Sequence, residues 1–217
     1  LDQEMMSVAT ELALVELMRS GCTTASDHHY LLPNGLEHAI DLQVEAAKKL
    51  GVRAIFTRGS MSLGEDQGGL PPRHTIQTEQ AIIDDSQRLI RDYHQHHDGA
   101  MTQIALAPCS PFSVTTDLMQ ETARIAHDEN VMVHTHLCET IDEENFCLKQ
   151  FGLRPVDYLE SVGWLNERTW LAHGIHFNAE EIGRLGKAGV GVSHCPTSNM
   201  MLASGMCKNL ELEQAGV

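Results

Sequence analysis

Apolar residues recur along this chain at two spacings, and stretches of the two kinds alternate. Residues 3–19 place Met6, Leu12, Leu14, Val15, Leu17 and Met18 at helical spacing, with Gly21 as the stop. Residues 22–27 read as a short buried strand that ends in Asp27, His28 and His29. The pattern continues with a helix over 36–49 closed by Gly51, a strand over 52–57, and a helix over 78–97 with Ala81, Ile82, Leu89 and Ile90 inward. A strand over 102–107 precedes a helix over 116–129, capped from residues 113–117. Then come a strand over 131–136, helices over 142–150 and 155–162, a strand over 169–173, a helix over 178–188 and a strand over 190–194. Residues 59–74 carry no period but hold Gly64, Gly68, Gly69, Pro71 and Pro72. A loop of that length inside an α/β unit reads as a functional lid, with a tolerated surface insertion as the alternative.

Strict alternation with short connections predicts parallel βαβ units with right-handed crossovers. Three successive strands end in polar, metal-capable residues: His136 with Glu139, then His173, then His194 before Cys195. That repetition points to a (β/α) barrel whose chemistry sits at the strand C-termini. The rival is a complete open doubly wound sheet, but no glycine-rich dinucleotide fingerprint follows any strand and no GxxxxGK[ST] occurs. Six strands do not close an eight-stranded barrel. The expectation is an α/β chain forming part of a TIM-type (β/α)8 barrel, residues 1–217 being one partial domain short of a strand at either end.

Composition narrows the partners. A net charge of −15 argues against nucleic acid or an anionic membrane, both of which require a basic surface. No apolar run approaches a membrane span, and the acidic, amphipathic start does not resemble a signal peptide. The six cysteines form no CxxC pair, so a reduced, cytoplasmic compartment is expected. His94, His96 and His97, at the end of a helix, are expected to face solvent.

His134 and His136 lie two apart and share a strand face. His136, nearer the rim, suits metal ligation through a neutral imidazole nitrogen. Glu139, just past the strand, suits proton transfer between an activated water and a substrate. The alternative is a core histidine with a solvated glutamate; the repeated strand-end pattern favours chemistry. His173 is expected to bind metal, or to orient water and stabilise charge, and His176 to lie outside that set. His194 reads equally as a substrate contact or as a buried hydrogen-bonded histidine. Cys109 reads equally as a substrate contact or as a small buried hydrophobe. Of His28 and His29, at most one faces the pocket.

Seven ordered motifs extend this reading. They are Gly21-Cys-Thr-Thr-Ala-Ser-Asp-His-His-Tyr30, Arg58-Gly-Ser-Met-Ser-Leu63, Gly68-Gly-Leu-Pro-Pro72, Ala107-Pro-Cys-Ser-Pro-Phe112, His134-Thr-His-Leu-Cys-Glu-Thr140, Leu171-Ala-His-Gly174 and Ser193-His-Cys-Pro-Thr-Ser-Asn199 with Leu202-Ala-Ser-Gly205. Through them the chain resembles the amidohydrolase superfamily, in its branch of purine and triazine deaminases and dechlorinases. The resemblance implies a distorted (β/α)8 barrel beside a small β-sandwich, these residues covering strands 2 to 7. It implies one divalent metal, usually zinc with iron as the alternative, held by a first-strand His-x-His, His136 and an eighth-strand Asp. It gives Glu139 the acid/base role, places His173 against water or substrate, and makes Cys109 a substrate contact in some relatives. The first-strand pair and the eighth-strand Asp are not among these residues, so the chain alone is expected to hold metal poorly and to be inactive. The expected reaction is hydrolytic deamination of an aminated purine, with 8-oxoguanine giving urate and ammonia as the first expectation. The partner is therefore a small heterocycle; a homo-oligomer is left open. The rivals are a triazine chlorohydrolase or aminohydrolase, a guanine- or cytosine-type deaminase, and a non-catalytic barrel remnant acting as a binding protein.

Overall fold

Strands and helices alternate as the two spacings predict. The structure, a computed structural model, describes residues 2–217 in two units, the first running to Ala107 and the second from Pro108 to Val217.

The first unit carries α1 (Gln3–Arg19), β1 (Thr24–Ser26), α2 (Ala39–Leu50), β2 (Arg53–Ser60), α3 (Glu79–Tyr93) and nearly all of β3 (Thr102–Pro108). β1 and β2 pair in parallel, with Thr24 opposite Arg53 and Ser26 opposite Ile55, and β3 is the other neighbour of β2. Strands of a parallel sheet are covered on both faces, which is why they read as apolar runs: Ala54, Phe56, Ile104, Ala105 and Leu106 are all buried. α3 begins where the Thr78 hydroxyl accepts the Ala81 N–H at 3.3 Å, and it buries Ile82, Ser86, Leu89 and Ile90 on one face. α1 departs from its expected face. It buries Met6, Thr10 and Leu14 at a spacing of four, while Leu12, Leu17 and Met18 are exposed.

β2 runs on to Ser60, and Gly59 explains how. Its N–H donates to the His29 carbonyl at 3.0 Å, and a Cβ there would lie 2.1 Å from that oxygen. The segment after it, expected to be irregular, contains two 3₁₀ turns, Glu65–Gln67 and Arg73–Thr75. His94 is half-buried rather than solvent-facing, because its Nδ1 accepts the Ile104 N–H at 3.0 Å. A cavity of about 410 Å³ opens among α1, β1 and β2, lined by apolar Met6, Leu14, Ala25 and Phe56 together with Asp27 and His29.

The second unit carries α4 (Thr116–Glu129), β4 (Val133–Leu137), α5 (Ile141–Phe151), α6 (Pro155–Ser161), β5 (Thr169–His173), α7 (Ala179–Ala188), β6 (Gly191–Ser193), α8 (Pro196–Met201) and α9 (Asn209–Ala215). β4, β5 and β6 pair in parallel, with Leu137 opposite His173 and Leu171 opposite Val192. The fully buried Trp164 fixes the packing against α4 by donating its indole N–H to the Met119 carbonyl at 2.9 Å. Arg154 ties two helices together, 2.6 Å from Glu144 of α5 and 2.7 Å from Glu181 of α7. α8 and α9 lie beyond the last expected element and are too short for a helical period to show. Among the described residues no helix is long and apolar enough to cross a membrane.

Candidate active site

Two sharp turns at adjacent strand ends build the site. At the end of β4, Cys138 takes a left-handed backbone, φ 54°. The N–H groups of Cys138 and Glu139 both donate to the Glu143 carboxylate, at 2.8 and 2.9 Å. The Thr140 hydroxyl caps α5 by accepting the Glu143 N–H at 3.3 Å. At the end of β5, His173 and Gly174 are both left-handed, φ 76° and 63°. The strand ends are laced together: the Gly174 N–H donates to Leu137 O at 3.2 Å, and the N–H groups of Ile175 and His176 donate to Cys138 O at 2.9 and 3.0 Å.

The outcome is a cluster of three of the expected residues. Glu139 Oε2 lies 3.5 Å from His173 Nε2, and the His173 ring stacks on His136 with centroids 5.3 Å apart. Cys109 joins them, its Sγ 3.9 Å from His136 Nδ1. His136 Nδ1 lies 2.7 Å from the Cys109 carbonyl, which only a ring N–H can satisfy. In the neutral ring this leaves Nε2 with its lone pair, the tautomer of a metal-ligating histidine with a carbonyl behind it. His136 therefore fits a metal ligand. Among the described residues, however, no group of three His, Cys, Asp or Glu side chains could hold an ion.

Burial sets the electrostatics. It lowers the pKa values of His136 and His173, so both rings are neutral at pH 7. It raises the pKa of Glu139, against a smaller opposing effect of His136. Glu139 Oε1 is buried with no hydrogen-bond partner. Burial pushes the Cys109 thiol up to about 11, so it stays an S–H donor rather than a thiolate.

The remaining histidines have other attachments. His134 is fully buried, its Nδ1–H donating to the Trp170 carbonyl at 2.8 Å and its ring stacked on Trp170 at 4.5 Å. His176 Nε2 lies 3.1 Å from Ser204 O. His194 is exposed rather than buried and pairs with Asn209 at 3.1 Å. In the first unit the His29 N–H donates to the Thr57 hydroxyl at 3.0 Å, and burial lowers the pKa of its ring. Two residues had no expected role. Asn199, the last residue of the Ser193–Asn199 motif, places its Nδ2 3.0 Å from His173 Nδ1. Glu143 had a readable signal in the capping spacing Thr140-x-x-Glu143.

A profile of the amidohydrolase family matches residues 1–217, and the chain belongs to that family. The 8-oxoguanine deaminase of Pseudomonas aeruginosa (strain PAO1) is 64% identical over 216 residues, 100% of this chain and 48% of the relative. Hydroxydechloroatrazine ethylaminohydrolase of Pseudomonas sp. (strain ADP) is 33% identical over 100% of this chain and 45% of its own length. Atrazine chlorohydrolase from Arthrobacter aurescens TC1, crystallised with zinc, superposes with a TM-score of 0.95 at 30% identity, covering 100% of this chain and 48% of its own. The fold class is thus that of the amidohydrolase (β/α) barrel, of which these residues carry six strands. The chain spans about half the length of the curated relatives it matches.

Proposed function

We propose that this chain carries the proton-transfer groups of a metal-dependent aminohydrolase that deaminates 8-oxoguanine to urate and ammonia. One observation carries the reading: Glu139, a carboxyl group of raised pKa with an unpaired buried oxygen, stands 3.5 Å from a neutral His173 that stacks on His136. A divalent metal, zinc or else iron, would supply a water acidic enough to be a nucleophile at neutral pH. His136 would hold it through Nε2, with further donors from outside the described set. Glu139 carries one proton of the water to a ring nitrogen as the C–O bond forms, and then carries the proton of the added hydroxyl to the amine, so that the C–N bond breaks with loss of ammonia and a carbonyl is left; burial raises its pKa and so favours the protonated form it passes through. His173 stabilises charge beside Glu139 as ammonia leaves. The Cys109 thiol faces the heterocycle as a donor, and His194 is the rim contact.

The test uses the protein expressed from its full reading frame, with metal counted per chain and ammonia and urate followed from 8-oxoguanine. We expect about one metal per chain, activity lost to a chelator and restored by zinc, and a loss of about 10² to 10⁴ in kcat for Glu139→Gln. Chloride or alkylamine release from a triazine, without ammonia from the purine, would move the protein to the triazine hydrolases. Metal-free protein with no product would leave a binding protein.

A further inference from the structure

We infer that Glu143 is the positioning residue for Glu139: its carboxylate clamps the two backbone amides at the end of β4 and so sets where the Glu139 carboxyl group stands against His173. The inference rests on the acid/base role of Glu139 proposed above.

The contrast between two helix starts makes the case. In α7 the capping box has its ordinary form. Asn178 caps the Glu181 N–H, and Glu181 Oε2 accepts the Asn178 N–H at 2.7 Å, with Arg154 against the same carboxylate. In α5 the equivalent glutamate, Glu143, reaches past the cap residue Thr140. Each of its oxygens takes one of the two preceding amides, Cys138 at 2.8 Å and Glu139 at 2.9 Å. Among the described residues no cation pairs with it, and the influences on its charge are burial, those two amides and Glu139 itself. Burial pushes its pKa up to about 7. A buried carboxylate without a cation is an expensive way to start a helix, and an ordinary cap needs no such group.

The clamped peptide is also the one that decides geometry. Cys138 holds the left-handed backbone that turns the chain, φ 54°. Its carbonyl accepts the N–H groups of Ile175 and His176, directly after the end of β5. The amide side of this turn is thus held by Glu143 and the carbonyl side by the strand end that carries His173. If the amide side is released, the distance between Glu139 and His173 is no longer fixed.

The experiment compares Glu143→Gln, Asn178→Ala and Glu139→Gln in the protein expressed from its full reading frame. In Glu143→Gln the amide keeps one acceptor and turns an NH₂ donor toward the second backbone N–H, so one arm of the clamp is lost. We expect kcat to fall about 10²-fold, as for a small misplacement of a reacting group, with KM within about twofold and the acidic limb of the kcat–pH profile displaced. Asn178→Ala weakens the cap of α7 and should lower Tm with kcat and pH profile unchanged. Glu143→Gln with wild-type kcat and pH profile, or with no larger loss than Asn178→Ala at equal Tm, overturns the inference. If Glu139→Gln is itself as active as wild type, the acid/base reading has failed instead. Hydrogen exchange in the wild-type protein gives a check that needs no variant. Slow exchange is expected at the Cys138 and Glu139 amides, and fast exchange at either overturns the clamp.

Discussion

Gly174 is where the turn at the end of β5 can be tested by one methyl group. It follows His173, and both are left-handed. A Cβ at Gly174 would lie 2.6 Å from Phe177 Cε2 and 3.2 Å from Val192 Cγ1. Phe177 is fully buried and has little room to yield. The left-handed backbone costs an L-residue about 1 to 2 kcal/mol. Overpacking a filled site adds about 1 to 3 kcal/mol. Gly174→Ala should therefore destabilise the protein by about 2 to 5 kcal/mol, read by urea unfolding at unchanged m-value. Phe177→Leu removes the clash but leaves the backbone term. The double variant should then be more stable than additivity predicts by about 1 to 2 kcal/mol. Activity should fall with stability, because the same turn sets His173. A loss below about 0.5 kcal/mol, or strict additivity with Phe177→Leu, would refute the reasoning: the turn would be relaxing freely and could not be fixing the histidine.

Three further outcomes follow from buried polar groups. Arg154→Met leaves Glu181, 3% exposed, without its cation and should cost about 3 kcal/mol; Arg154→Met with Glu181→Gln should recover most of that on the same unfolding curves. The Glu143 carboxyl holds its proton up to about pH 7 when folded but only to about 4.5 when unfolded, so the native state binds more protons between those values. Stability therefore falls as pH rises through that window, by about 3 kcal/mol, and Glu143→Gln lacks this component. Parallel stability–pH profiles of the two proteins would contradict it. Trp164→Phe removes the indole donor from the Met119 carbonyl and leaves a gap in the core, so a loss of about 2 to 3 kcal/mol is expected by thermal or urea unfolding.

The amino-acid sequence by itself determined the alternation of strands and helices, because burial on both faces of a strand or along one face of a helix leaves a local imprint. It also marked the strand ends, since His136, Glu139 and His173 are polar residues placed directly after apolar runs. Local pattern misled in two places: the Ile104 N–H draws His94 inward, and α1 buries Thr10 while leaving Leu12 exposed. α8 and α9 were illegible because six or seven residues do not complete a periodic signal. Only the tertiary structure decided which strand-end groups meet. The register that sets Leu137 opposite His173, and the left-handed backbone at Cys138 and His173, bring Glu139 to His173 and Asn199 behind it. Register and turn geometry depend on hydrogen bonds between residues far apart in the chain, such as the two from the segment after β5 to the Cys138 carbonyl. Periodicity records where a side chain is buried, and it carries no information about which distant group it will meet there.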